Sequence, residues 1–286
     1  MAGLKDIFIE AKAVSYNYPG EETESSPALS GIDMVIKKGE YVALIGPNGS
    51  GKTTLMKLFN ALLIPSSGEV LVEGISTADE EMLPEIRRRC GMIFQNPDNQ
   101  LVATTVEEDI AFGPENLALP TEEIRERVYS AASQLGLDRV LKQPPHMLSG
   151  GEKQRVAIAG VLAMQPGCIL MDEPTAMLDA AGRREVLKTV AALNRDHGIA
   201  IVHVTHFPTE AALADRIVLL DHGSIVTQGS PQEVLTDLSL LHNLGLRGTT
   251  AVELAAALRR DGLQLKPMLL HNRELIESLC SLERKI

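Results

Sequence analysis

Gly46-Pro47-Asn48-Gly49-Ser50-Gly51-Lys52-Thr53-Thr54 leaves the apolar run Tyr41 to Ile45 and opens a helical pattern. The stretch matches G-x-x-x-x-G-K-[ST], and a strand before it with a helix after it is the context that this pattern requires. Glycines at these spacings let backbone N–H groups turn inward around phosphate oxygens, with the helix dipole behind them. On that chemistry Lys52 reaches the β- and γ-phosphates of a nucleotide and the Thr53 hydroxyl faces Mg²⁺. Gly46, Pro47, Asn48, Gly49, Ser50, Gly51, Lys52, Thr53 and Thr54 are therefore the candidate ATP-binding residues.

A second small-residue turn, Leu148-Ser149-Gly150-Gly151-Glu152, opens another helix and would offer free N–H groups and a hydroxyl to an anion. Alone, such a turn is more often only a cap. One chain cannot easily direct both turns at one nucleotide, which points to a site closed by a second copy of the fold. Between them in chemistry lies Cys168-Ile169-Leu170-Met171, a buried-type strand ending in Asp172-Glu173. Acids at a strand end in a parallel α/β sheet sit where ligands bind. Asp172 is placed to hold Mg²⁺, and Glu173 to take a proton from an attacking water. His206 follows the strand Ile199 to Val204 and could contact the γ-phosphate or that water; Gln95 ends the strand Gly91 to Phe94. Each is unremarkable in isolation.

Apolar runs alternate with helical patterns from the start to about residue 228, which marks an α/β fold. Expected strands are Ile7 to Ala11, Tyr41 to Ile45, Glu69 to Glu73, Gly91 to Phe94, Cys168 to Met171, Ile199 to Val204, Arg216 to Leu220 and Ser224 to Thr227. Expected helices follow Lys52, run from Thr121 to Leu135, and span Gly151 to Met164 and Gly182 to Arg195. Asn96 to Asn99 and Phe112-Gly113-Pro114 read as turns around a short acidic helix, Val106 to Ala111. Ser230-Pro231-Gln232-Glu233 is a capping box with proline at the first helical position, and helices alone follow it.

The chain's 286 residues can bury a full core, and its 44% hydrophobic and 23% charged residues suit a globular protein. A net charge of −11 argues against nucleic-acid binding, which needs basic surface. Arg87-Arg88-Arg89 reads as a solvated helix end, and Cys90, Cys168 and Cys280 fit neither a disulfide framework nor a metal site. The longest apolar runs are too short to span a bilayer, and Met1 to Glu10 lacks the marks of a secretory signal.

Taken together, the P-loop, Gln95, the Leu148–Glu152 turn, the Cys168–Glu173 strand and His206 resemble the ATP-binding-cassette (ABC) ATPases, over nearly all of residues 5 to 235. The resemblance implies a P-loop NTPase fold with an N-terminal antiparallel β-subdomain, a helical subdomain at about 96–165 that carries the Ser149 turn, and an α-helical appendage. It implies catalytic roles for Glu173, His206 and Gln95, and Mg²⁺ held by Thr53, Gln95 and Asp172. Ala176-Met177-Leu178-Asp179 resembles the loop that links two sites across a dimer, with Ala176 where the family usually has serine. Tyr18 resembles the aromatic that stacks on adenine, with Tyr16 the near alternative. In that family the Ser149 turn of one copy faces the γ-phosphate held by Lys52 of the other.

A narrower similarity lies in Phe94 to Gln100 and Thr105 to Asn116. It is to the energy-coupling-factor (ECF) importer ATPases, which include the cobalt-importer ATPases. This implies a peripheral subunit on the cytoplasmic side of the cell membrane, paired with a second ABC ATPase of the same or a related chain. It further implies a transmembrane coupling subunit, a membrane substrate-binding subunit, and uptake of a vitamin or of cobalt or nickel ions. The acidic helix Glu107 to Asp109 would suit arginine-bearing helices of the coupling subunit, and residues 236–286 would form a dimerisation segment. The alternatives are the ATPase of another ABC importer, or a soluble ABC ATPase outside transport.

Overall fold

The computed structural model describes residues 6–19, 27–266 and 269–283. The expected domain start at residue 5 and the last three residues of the chain fall outside that range, as do residues 1–5 of the stretch read as lacking a secretory signal.

Two sheets organise the chain. Strands β1 (Ile7–Tyr16), β2 (Leu29–Lys37), β4 (Ser67–Val72) and β5 (Ile75–Ser76) form an antiparallel sheet in the order β2-β1-β4-β5. The second sheet runs β10-β9-β3-β8-β7-β6, from β10 (Ser224–Gly229), β9 (Arg216–Asp221), β3 (Tyr41–Ile45), β8 (Ala200–Val204), β7 (Cys168–Asp172) and β6 (Cys90–Ile93). Its strands are parallel except β10, which caps the β9 edge in antiparallel register. This is the α/β fold with an N-terminal antiparallel unit that the sequence implies.

All five residues of β3 are buried, as expected for a strand covered on both faces. Because successive side chains alternate, Val42 and Leu44 join the core beneath the antiparallel sheet, with Leu170, Val202 and Val218. Tyr41, Ala43 and Ile45 join the opposite core, which runs on without a break into Val106, Ile110, Val128 and Ile158 of the helical layer. Helix α1 (Lys52–Phe59) follows β3 at the carboxyl end of the sheet. Helix α2 (Leu83–Arg89) leads into β6, and α3 (Val106–Asn116), α4 (Thr121–Gln134) and α5 (Gly150–Ala163) make the helical layer. Helix α6 (Ala180–His197) follows β7, and α7 (Pro208–Ala211) follows β8. Helices α8 (Pro231–Thr236), α9 (Leu238–Asn243), α10 (Thr250–Arg260) and α11 (Asn272–Glu283) complete the chain.

Three local readings change. Strand β2 is absent from the sequence expectation, because Gly31, at φ 59°, and Asp33 interrupt its apolar alternation. Asp33 Oδ1 takes the Ala13 N–H at 2.8 Å, where β1 bulges. Helix α3 does not stop at Ala111 but continues through Gly113 and Pro114 to Asn116. A Cβ at Gly113 would lie 2.7 Å from Met164 Cγ, so close packing against α5 carries the helix past its breaker. Helix α4 is capped at Pro120 without a side-chain bond, and Thr121 is its first helical residue. The capping box at Ser230 and Glu233 is present as read. Finally, Arg88 and Arg89 are not simply solvated: both bind Glu85, and Arg89 also binds Glu73.

Candidate functional site

The site begins where β3 ends. A Cβ on Gly46 would stand 2.1 Å from Leu220 O, so the loop passes β9 too closely for any side chain. Gly51 caps α1 at φ 99°, and a Cβ there would meet Ala28 O at 2.7 Å. Between them Lys52 folds back beneath the loop. Its Nζ donates to Gly46 O at 2.9 Å and Pro47 O at 2.8 Å, with Ser50 Oγ at 3.4 Å. Burial pushes the Lys52 ammonium pKa down, while the nearby Glu173 and Asp172 carboxylates pull it up.

Thr53 Oγ1 donates to Asp172 at 2.9 Å to Oδ2 and 3.1 Å to Oδ1, joining the start of α1 to the end of β7. Burial lifts the Asp172 carboxyl above its ordinary range; the Thr53 hydroxyl, Lys57 and Lys52 oppose that lift and Glu173 adds to it. A carboxylate raised by burial gains from a cation beside it. Among the described residues no cluster of three or more His, Cys, Asp or Glu could hold a metal ion. The Thr53 hydroxyl beside the Asp172 carboxylate is a donor set that fits Mg²⁺, which is held by one or two carboxylates and completes its shell with water and substrate phosphates.

Glu173 turns sharply off β7 at φ 51°, a left-handed conformation that costs a non-glycine residue roughly 1–3 kcal/mol. Its N–H is held by Val204 O at 3.0 Å. This turn presents the carboxylate to two side chains from other strand ends. His206 Nε2 lies 2.6 Å from Oε1, and Gln95 Nε2 donates to Oε2 at 3.1 Å. Gln95, Glu173 and His206 are thus brought together from the ends of β6, β7 and β8.

Tyr18, not Tyr16, reaches the cavity. The Tyr18 hydroxyl lies 2.9 Å from Thr54 Oγ1, and its ring forms one wall of a cavity of about 550 Å³ lined also by Asn48–Thr54 and Glu173. Tyr16 is buried behind it, edge-on at 5.0 Å between ring centroids. His222, at φ 43° in the β9–β10 turn, lines the same cavity and was not expected from the sequence. Its only sequence signal is a histidine before Gly223.

The Leu148–Glu152 turn does not line that cavity. Ser149 caps α5 in a reciprocal box: its Oγ accepts the Glu152 N–H at 3.3 Å, and Glu152 Oε2 accepts the Ser149 N–H at 2.9 Å. Leu148 is buried; Ser149 and Gly150 are exposed. Against this turn packs the 176–179 loop, with Leu178 Cδ2 3.4 Å from a Cβ placed on Gly150. Ala176 is exposed, Leu178 is buried, and Asp179 caps α6 by accepting the Gly182 N–H at 2.7 Å. Both expected dimer segments therefore share one face.

The acidic start of α3 is exposed only in part: Glu108 faces solvent, Glu107 is half-buried and Asp109 is buried. Glu107 binds Lys142 and the Tyr129 hydroxyl. Glu108 closes the capping box with Thr105. Asp109 is buried and takes the N–H groups of Val102 at 2.8 Å and Ala103 at 3.1 Å. Beside these acids lies an apolar groove of about 480 Å³, lined by Leu62, Phe94, Leu101, Val102, Phe112 and Met164.

A parallel sheet carrying a glycine-rich phosphate loop, with acids at the end of β7, defines a P-loop ATPase. A family model described as ABC transporter matches residues 29–176. The energy-coupling factor transporter ATP-binding protein EcfA1 of Clostridium novyi (strain NT) is 49% identical over 280 residues, covering 98% of this chain and 100% of its own. The protein of the same name from Symbiobacterium thermophilum is 49% identical over 283 residues, covering 98% and 99%. Among solved structures, CbiO1 from Clostridium perfringens, part of the ABC transporter complex CbiONQ, superposes with a TM-score of 0.75 at 37% identity. That match covers 88% of this chain and 99% of CbiO1. The ATP-binding cassette MJ0796, in a dimeric post-hydrolysis state bound to ADP and Pi, gives 0.71 at 33% identity, covering 78% and 98%. The chain belongs to the ABC transporter family, as an ATP-hydrolysing member.

Proposed function

We propose that this chain is the ATPase subunit of an ECF importer, working at the cytoplasmic side of the cell membrane on a vitamin or on cobalt or nickel ions. The observation that carries the catalytic part is the convergence of Gln95 and His206 on Glu173, beside the Thr53–Asp172 contact. Similarity along the whole chain to EcfA1 proteins supports the transporter assignment. Lys52 and the first-turn amides of α1 bind the phosphates, and Tyr18 stacks on the adenine. Thr53, Asp172 and Gln95 would hold Mg²⁺, which would neutralise phosphate charge when bound. Glu173 accepts the proton of the attacking water, and His206 holds that carboxylate and the γ-phosphate in line.

The second wall of the site comes from a second ATPase subunit, the same chain or a related one. Its Ser149 turn points free amides at the γ-phosphate, and the Ala176–Asp179 loops run between the two sites. The exposed face shared by these segments supports that pairing. We assign residues 5–235 to the ATPase domain, 96–165 to its helical subdomain, and 236–286 to an α-helical dimerisation segment. A transmembrane coupling subunit and a membrane substrate-binding subunit complete the assembly. No helix among the described residues is long and apolar enough to cross a membrane.

With Asp109 buried and Glu107 paired to Lys142, the apolar groove at Phe112 is the better seat for the coupling subunit. Phe112 is 54% exposed and Val102 66%, an unusual display for large apolar residues at one groove. Affinity purification of the tagged chain from detergent-solubilised membranes should recover a polytopic membrane protein and an ATPase. Phe112→Glu should lose the membrane protein while keeping the isolated subunit's ATPase rate. Recovery of no membrane protein by the native chain would count against a transporter role; undiminished recovery by the variant would count against the groove.

A further inference from the structure

Behind Glu173 and His206 lies a buried carboxylate that touches no reacting group. Glu210, in α7, is 1% exposed. One of its oxygens, Oε1, accepts from Thr175 Oγ1 at 2.7 Å; the other, Oε2, accepts from Thr205 Oγ1 at 2.6 Å. Thr175 lies two residues beyond Glu173, and Thr205 immediately precedes His206. Both threonines are buried. Thr205 Oγ1 also accepts the Phe207 N–H at 3.0 Å, so one hydroxyl braces both flanks of His206.

Two basic side chains complete the surroundings. Arg183 Nε lies 3.5 Å from Glu210 Oε1, with its guanidinium 3.7 Å from the Phe207 ring centroid. His203 Nε2 lies 3.4 Å from Oε2, while its Nδ1 is 3.0 Å from the Tyr41 hydroxyl. Burial pushes the Glu210 carboxyl up, but His203 and the two threonine hydroxyls outweigh it and hold the group below its ordinary range. A buried carboxylate costs more than an apolar side chain of similar size, and a short surface helix does not need one for packing. What this one does is join two loops that share no strand pairing beyond Asp172 and Val204.

We propose that Glu210 is a positioning residue for ATP hydrolysis: gripping Thr175 and Thr205 with opposite oxygens, it fixes the loop carrying Glu173 against the loop carrying His206. The proposal rests on the reading of Glu173 and His206 as the reacting pair. It accounts for how an exposed histidine and a glutamate in a left-handed turn keep a 2.6 Å contact. Loss of the grip lets that contact wander, and a misplacement near 1 Å can cost on the order of 10²-fold in rate.

Glu210→Ala would leave Arg183 and His203 facing a hole and would test folding as much as catalysis, so the threonines are the better probes. Thr205→Val nearly preserves shape and removes both hydroxyl bonds; Thr205→Ser keeps them. Thr205→Val should lower kcat by at least about tenfold with KM for MgATP changed less than about twofold, and Thr205→Ser should stay near native. Thr175→Val, on the other oxygen, should behave like Thr205→Val. In a Glu173→Gln background neither valine should reduce the residual rate further. Native kcat in both valine variants, or equal losses with and without Glu173, would overturn the proposal. If Glu173→Gln alone hydrolyses at the native rate, the reading of the reacting pair fails instead.

Discussion

Glu173→Gln is expected to bind MgATP as tightly as the native chain while hydrolysing it about 10²–10⁴-fold more slowly, the usual contribution of a general base. The amide has the shape of the carboxylate and can still meet either His206 or Gln95, which now hold its two oxygens at 2.6 and 3.1 Å. It lacks only the basic lone pair. Phosphate grip at Lys52 and the Thr53–Asp172 contact lie outside the change, so the closed pair of subunits should accumulate instead of turning over. Size-exclusion chromatography with MgATP reads this directly. A variant that stays monomeric at every concentration, together with any ATPase partner it copurifies with, would argue against closure over the nucleotide.

Lys52→Ala should act on a different step. Its ammonium is buried, bonded to Gly46 O and Pro47 O, and held in place by the loop it would serve. Truncating one partner of a buried charge pair typically costs 2–5 kcal/mol, so affinity for a non-hydrolysable ATP analogue should fall by roughly 10²-fold. Calorimetric titration gives the number. Unchanged affinity would remove Lys52 from the phosphate site.

The phosphate loop was legible because its chemistry is contiguous: nine adjacent residues, Gly46 to Thr54, carry turn, helix start, lysine and hydroxyl together. Asp172 and Glu173 were legible as acids closing an apolar run. The meeting of Gln95 and His206 at Glu173 was not a property of either local sequence, since it depends on β6, β7 and β8 lying side by side. Glu107, Glu108 and Asp109 read as one exposed acidic face, which holds for Glu108; sequence cannot show that Lys142 pairs with Glu107 or that two loop amides hold Asp109 in the interior. Glu210 was missed for the converse reason. An acid after Pro208-Thr209 looks like ordinary surface helix, and only packing reveals its burial. Likewise Gly113-Pro114 carries a strong turn signal that contact with Met164 overrides.

The far end of the chain holds to the body unevenly. Val252 and Leu270 belong to the large core, but Ala251, Ala255, Leu265, Leu269 and Leu275 make a small cluster of their own. Detaching α11 therefore exposes little apolar surface, and such segments open at a fraction of the global free energy. In deuterium exchange its amides should label long before those of β3 and β8, whose residues are all buried; equal protection would contradict this. The outermost helix is thus a loosely sprung latch, free to unfasten and refasten while the machinery behind it stays folded.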